Sequence, residues 1–217
     1  NISGQVTLNN GRLDLTGISM HMLEGEFKLS GIYEDESKEK RNLDFTAEIV
    51  NVDIPKAFQS LQLIRNYLPI AAQSKGKFST TLKLKRSLDQ NLNMVMESLN
   101  GSGLFSSQSI QVINSPVFNQ VKSVLNEEKL RNLKIDDFVT SFTIQNGNLL
   151  LKPFKTKISG QEATFSGYLN VSNFLEMKID FLISRDALSS NIENTLGILP
   201  GQGNIRMTPV TLNIKGP

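Results

Sequence analysis

The feature that most constrains this chain is the period of its apolar residues, which recur at every second position through much of its length. Leu13 and Leu15, then Ile18, Met20 and Met22, alternate with polar residues, and Leu43, Phe45, Ala47 and Ile49 do the same. The pattern returns at Leu82 and Leu84, at Leu92, Met94 and Met96, at Phe138, Phe142 and Ile144, and at Leu149 and Leu151. It is clearest at Leu175, Met177, Ile179, Phe181 and Ile183. Successive side chains of a strand point to opposite sides, so this alternation predicts strands with one apolar and one wet face. Thr, Ser and Asn fill the polar slots, which suits the exposed side of a sheet better than a helix surface. Asn-Gly pairs at Asn10-Gly11, Asn100-Gly101 and Asn146-Gly147 read as tight turns. Glu34 to Arg41, with four acids, three bases and no apolar residue, reads as a solvated hairpin tip.

Three stretches break the period with helical spacing. Pro55 to Leu68 carries Phe58, Leu61, Ile64 or Arg65, and Leu68, with Asp53 near its start as a cap. Ser115-Pro116 opens a second, with Val117, Phe118, Val121, Val124 and Leu125 on one stripe. A third runs from Ser184 as cap through Leu188, Ile192 and Leu196 to Gly197. The expectation is that they are lids on the sheet's apolar face or over its open end. None has the Lys/Arg-rich polar face of a membrane-surface helix.

Composition narrows the chemistry. The chain has 217 residues, a formal charge of +2, no Cys, no Trp and one His, while 21 Asn and 22 Ser make up about a fifth of it. Disulfides, thiolate nucleophiles, Cys-ligated zinc and any site needing two histidines are therefore excluded within it. The missing Cys fits an oxidising compartment. No run approaches the roughly 18 apolar residues of a membrane-spanning helix. The chain opens and closes inside strand-like runs, and the expectation is a piece of a longer polypeptide.

An internal repeat organises the pattern. At an offset of 136, Asn10-Gly11 meets Asn146-Gly147, Leu13 and Leu15 meet Leu149 and Leu151, and Leu29-Ser30-Gly31 meets Phe165-Ser166-Gly167. Gly25 and Gly160 correspond with a one-residue displacement, and Leu43 to Ile49 matches Leu175 to Phe181 after a longer loop. The expected unit is three or four meandering strands followed by a helix, stacking with its neighbours into one sheet. The units run over about 1–72 and 133–197, with a weaker one over 75–127, in a single domain, 1–217.

This order is similar to the repeating unit of the AsmA family. The residues that carry the likeness are Asn146-Gly147-x-Leu149-x-Leu151, Gly160, Ser166-Gly167-Tyr168-Leu169 and Leu175-x-Met177-x-Ile179, together with Leu99-Asn100-Gly101-Ser102-Gly103-Leu104. The likeness covers most of residues 1–33 and 76–183, and the helices at 55–70 and 116–127 do not match the repeat. AsmA-like proteins, TamB among them, are bacterial envelope proteins held to the inner membrane by an N-terminal helix absent from this sequence. They are associated with outer-membrane assembly, and their long β-rich periplasmic grooves are thought to carry phospholipid. The resemblance therefore implies a periplasmic, non-catalytic segment tethered through a region outside this chain, with phospholipid and envelope proteins as partners.

Reactive residues add little to that reading. His21 lies on the polar phase of a strand and has no accompanying nucleophile. Glu127-Glu128 and Asp136-Asp137 are adjacent acids, which on a strand point to opposite faces and form no paired site unaided. Gly101-Ser102-Gly103 and Gly201-Gln202-Gly203 continue neither as GxGxxG nor as a P-loop and read as turns. No catalytic residue, metal ligand or cofactor is expected. From Ile54 to Leu88 there is no acid, while Lys56, Arg65, Lys75, Lys77, Lys83, Lys85 and Arg86 give +7, leaving −5 for the rest. Lys75, Lys77, Lys83, Lys85 and Arg86 are the candidate patch for anionic headgroups or an acidic partner, against the alternative of an ordinary solvated edge strand. Only Phe78 is interleaved with the strand lysines, and no RNP-type signature appears, which argues against nucleic acid.

The expected fold is mainly β with a few helices, as antiparallel meanders in a strongly curved sheet or incomplete barrel built from duplicated strand-strand-strand-helix units. Its expected apolar face, lipid-facing or core, is Leu13, Leu15, Leu149, Leu151, Phe165, Leu175, Met177, Ile179 and Phe181. The alternative function is a structural or protein-binding envelope module with no lipid role. A carbohydrate-active β-domain ranks below both.

Overall fold

The alternating runs become the strands of one antiparallel sheet in a computed structural model, which describes residues 1–37, 40–61, 64–65, 69–88, 95–113, 119, 133–170, 174–184 and 207–216. The strands are β1 (Ile2–Asn9), β2 (Arg12–Met22), β3 (Gly25–Ser37), β4 (Lys40–Asp53), β5 (Ser74–Leu88) and β6 (Asn100–Val112). After them come β7 (Leu133–Ile135), β8 (Phe138–Gln145), β9 (Asn148–Ile158), β10 (Gln161–Leu169), β11 (Leu175–Ser184) and β12 (Met207–Gly216). Each pairs with its neighbours in sequence; β7 and β8 lie end to end in one lane between β6 and β9. The result is a single meander with β1 and β12 at its edges.

Asn10-Gly11 and Asn146-Gly147 form the predicted turns, with positive φ at both residues of each. That is the turn whose twist matches the flanking strands. Leu23-Glu24 and Ser159-Gly160, also 136 residues apart, make the same kind of turn. Gly25 is the first residue of β3, where a Cβ would stand 2.5 Å from the carbonyl oxygen of Val50. Asn100-Gly101 is not a turn. It opens β6, and the Asn100 side chain accepts from the Asn146 amide at 3.1 Å, stapling the β8–β9 turn to the start of β6.

The Glu34–Arg41 stretch holds the tip of the β3–β4 hairpin, as expected, and its flanks are strand, with Asp35 facing Arg41 and Glu34 bonded to Arg12 at 2.7 Å. Opposite charges on neighbouring strands hold them extended. Met96–Ser98 is a short 3-10 turn and not a strand, closed by Ser98 Oγ donating to the Val95 carbonyl at 2.7 Å. Of the first predicted helix, α1 spans Ile54–Ser60, and the Asp53 carboxylate accepts from the Lys56 amide at 2.9 Å as its cap. It ends at Ser60 because Leu61 is extended, and the chain is helical again at Ile64 and Arg65, where the Arg65 amide donates to the Leu61 carbonyl and its guanidinium to the Phe58 and Gln59 carbonyls. Ser184 ends β11. Apart from Asn119, which is helical, the second predicted helix over 116–127 lies outside the described residues, as do the remainder of the third, Leu92, Met94, Glu127-Glu128 and Gly201-Gln202-Gly203.

Register breaks keep the apolar residues in phase. Between Leu15 and Ile18, β2 has one more residue than β3 has between Gly31 and Leu29. Between Leu151 and Phe154, β9 has one more than β10 has between Gly167 and Phe165, the same place at the offset of 136. Comparable bulges sit at Asn51 in β4 and Ser109 in β6. The extra amide in a bulge has no ladder partner, yet must be satisfied. Gly17 N donates to Ser30 Oγ at 3.0 Å, Asn51 N to Ser79 Oγ at 2.9 Å, and Ser109 N to Asp137 Oδ1 at 2.8 Å. In β9 a proline, Pro153, occupies the position and brings no donor. Bulges bend and twist their strands, which is compatible with strong curvature.

The strand connections are unequal at the two ends of the sheet. The β4–β5, β6–β7 and β11–β12 connections, the three that contain predicted helices, all leave and return at one end. The turns at Asn10-Gly11 and Asn146-Gly147 lie at the other. At the long-connection end Val112, Leu133, Ile158, Ala163, Phe181 and Ile183 form a sealed core that continues to Phe165, Ile179 and Ile214. Val52, Ile54, Ala57 and Ala71 are buried around α1. We predict that Ile158→Ala, in the fully buried part, costs about 2–5 kcal/mol. Leu149→Ala, half-buried on the same face and strand, should cost well under that, with urea unfolding midpoints as the measurement.

Candidate functional site

Tracing the register across the sheet places all nine expected apolar-face residues on one side. Leu15 lies opposite Gly31, which faces Phe45, then Leu84 and Gly101 in turn. From Gly101 the row continues through Ile144, Leu149, Leu169 and Leu175. The next row runs from Leu82 through Gly103, Phe142, Leu151, Gly167 and Met177 to Ile214. The glycines in these rows make room for their neighbours. A Cβ at Gly103 would stand 2.5 Å from Phe142 Cζ, and one at Gly101 2.6 Å from Leu84 Cδ2. Large apolar side chains therefore lie across glycine backbone, and the rows pack closely.

The face divides into a sealed half and a half-open one. Phe165, Ile179 and Phe181 are only 6%, 1% and 2% exposed and belong to the core. Leu13, Leu15, Leu149, Leu151, Leu175 and Met177 are half-buried, towards the end with the Asn-Gly turns. Between the two halves runs a ladder of phenylalanines that crosses five lanes. Phe78–Phe105, Phe105–Phe138, Phe138–Phe154 and Phe154–Phe165 have ring centroids 5.8, 6.0, 4.3 and 5.1 Å apart. Such contacts add to the area the rings bury. The sequence analysis does not isolate this ladder, because its members lie on five strands and only the register brings them into line.

Of the candidate cationic patch, only part survives as a surface. Lys83 and Lys85 project from the wet face of β5, and Lys85 is paired with Asp44 at 2.8 Å. Lys77 lies 3.6 Å from Glu24. Lys75 is exposed beside the β5–β6 register break. Arg86 does not belong with them: it faces Leu43 on the apolar side and is 6% exposed. Strand parity explains the difference, since position 86 shares its face with 82 and 84.

The rest of the wet face is laced with ion pairs, some along a strand and some across neighbouring strands. Arg12 meets Asp14 and Glu34, Lys28 meets Glu48, Lys215 meets Glu176, and Lys178 meets Asp180. His21 is exposed, with Nε2 3.2 Å from Glu26 Oε1. Asp136 and Asp137 form no paired acid site: Asp137 satisfies the β6 bulge, and the Asp136 backbone carbonyl accepts from Thr156. Among the described residues no three His, Asp or Glu side chains gather as metal ligands. Two shallow depressions, one bordered by His21, Glu24 and Glu26 and one by Asp44, Lys85 and Ser98, lie beside these charged groups. No helix of the described residues is long and apolar enough to cross a membrane. No protein family, curated protein or solved structure matches this chain.

Glu24 ties the β2–β3 turn to α1 through Lys56 at 2.5 Å. Hydrogen bonding from Lys56, and then its charge, holds the Glu24 carboxyl below the usual range. The bond from Arg12 does the same for Asp14, that from Lys215 for Glu176, and those from Lys178 and Thr211 for Asp180. A carboxylate depressed in the folded state contributes stability above its unfolded pKa and loses it as pH falls through the folded value. The expected stability profile is flat near neutrality and declines below about pH 4. Glu24→Gln should reduce that acid-limb decline and loosen α1, read by urea midpoints against pH and by amide exchange at Ala57.

Proposed function

We propose that this chain is a non-catalytic segment of an AsmA-like envelope protein whose apolar sheet face contacts phospholipid acyl chains. In this reading it lies in the periplasm, is tethered to the inner membrane through a region outside this sequence, and serves outer-membrane biogenesis. The internal duplication belongs to the same proposal, supported by the shared bulge at Leu15/Ile18 and Leu151/Phe154.

The observation that carries the reading is the half-open apolar face of a continuous single sheet. The accessible surface of the whole chain, 13124 Å², exceeds the roughly 10,000 Å² of a compact chain of 24.1 kDa. Apolar area left in water costs about 25 cal/mol per Å², and acyl chains would remove that cost without demanding hydrogen bonds. Met177 and the leucines around it offer the adaptable contacts a fluid chain needs.

A second observation favours the alternative of a protein-binding module. Strand β1 has no partner on its outer side among the described residues, and its Ile2, Val6 and Leu8 are 76%, 58% and 74% exposed, a suitable template for an added strand.

Extraction and mass spectrometry of the purified protein separate the two. The lipid reading expects co-purifying phospholipid in the wild type. Leu149→Asp with Leu151→Asp should remain folded by circular dichroism and lose that lipid. Absence of lipid in the wild type, or full retention by the folded variant, overturns it. Phe181 is unsuitable for the test, because a charge in the sealed core would unfold the protein.

A further inference from the structure

The wet face holds a second feature, on the side opposite the proposed lipid contact. Strands β5, β6, β8 and β9 are adjacent lanes and contain no acidic residue at all. Five basic residues lie in β5 and three in β9, and neither β6 nor β8 has any charge. Lys83 borders this strip on the β5 side. Lys155 and Lys157 border it from the wet face of β9, with Lys152 in the β9 bulge. All four are exposed and have no ion-pair partner among the described residues.

The floor between the lysines is made of hydroxyls and aliphatic side chains. Ser102, Ser106, Ser141 and Thr143 occupy it with Leu104, Val139 and Leu150, which are 51%, 66% and 58% exposed. At a lane spacing of about 4.8 Å, β5 and β9 stand about 14 Å apart. Lysines separated by some seventy residues in sequence thus flank a lane pair in which β6 and β8 are uncharged; Asp136 and Asp137, between β7 and β8 in the same lane, lie at its long-connection end, where Asp137 accepts from the Ser109 amide.

We infer that this strip is a docking site for an extended, acidic polypeptide segment that also carries aliphatic residues. Its acids would reach the lysines on either side, and its apolar side chains would cover Leu104, Val139 and Leu150. The surroundings exclude a broad anionic surface. Asp44 and Glu48 of β4 stand on one flank, and Glu162, Glu176 and Asp180 of β10 and β11 on the other. A planar bilayer would bring its headgroups within a Debye length of about 8–10 Å of these carboxylates, whereas a narrow ligand avoids them. Nucleic acid is disfavoured because the strip offers no aromatic ring for stacking and no arginine.

The test is fluorescence anisotropy of a labelled synthetic peptide of alternating glutamate, leucine and serine, titrated with the whole chain. Saturable binding is expected, falling steeply when salt is raised to about 0.5 M, where charges are screened within a few ångströms. Lys83→Glu/Lys152→Glu/Lys155→Glu should weaken it about tenfold or more. Leu104→Ser/Val139→Ser should weaken it several-fold with the charges intact, and Lys28→Glu should leave it unchanged. Each variant is checked by thermal melting, and Lys→Gln replacements substitute for any that fails to fold. The inference is overturned if the peptide does not bind, or if Lys28→Glu matters as much as the strip variants. It is also overturned if phosphatidylglycerol vesicles or oligothymidylate bind more tightly through the same lysines. Because the phospholipid assay reads the opposite face, the two proposals can fail independently.

Discussion

A sheet with a single apolar face depends on phase. Side chains alternate across the strand, so one unpaired residue would move every later apolar group to the wet side. In β2 the apolar positions change parity between Leu15 and Ile18, in β4 between Ile49 and Val52, in β6 between Ser107 and Ile110, and in β9 between Leu151 and Phe154. A bulge sits at each change and absorbs the extra residue. The cost of each bulge is an unpaired amide, and Ser30, Ser79 and Asp137 meet it in three of the four. Without these local repairs the face would break into disconnected stripes.

With the phase preserved, the sheet's two ends take on different roles. Where the long connections attach, Ile158, Ile183 and Val52 reach full burial. Towards the Asn-Gly turns, side chains of the same chemistry remain half-exposed. The phenylalanine ladder marks the transition, with Phe165 buried and the other four half-buried. The opposite face holds itself in water through cross-strand ion pairs, each of modest worth because it is exposed. Those pairs thin out over β6 and β8, where neither strand has a charge to offer.

Much of this was legible in the residues. Alternation identified the strands, and the parity of Leu149, Leu151, Leu175 and Met177 assigned them one face. Two of the three Asn-Gly pairs made turns. The third did not, because Asn100 is worth more as a side-chain staple to the Asn146 amide than as a turn residue. The Glu34–Arg41 stretch was legible as a hairpin tip, although not how far the strands run into it, because opposite charges can hold a strand pair together without any apolar residue. Arg86 was grouped with the lysines by sequence proximity, although parity places it on the other face. The phenylalanine ladder and the pairing of Lys83 with the β9 lysines depend on which strands become neighbours, and a single strand's pattern does not contain that information.

The meander itself bears on how the molecule assembles. Every lane pairs with the next along the chain, β7 and β8 sharing one, so ordering can advance lane by lane and needs no closure between distant ends. Stability then accumulates as a series of nearest-neighbour terms, as in stacked repeats, and is not shared evenly. The interior lanes between β8 and β11 are held from both sides around the buried core, while β1 has one ladder and no buried side chain. Such a sheet opens from its margin inward. Its outermost strand is its least permanent part and the one most readily exchanged for another of similar pattern.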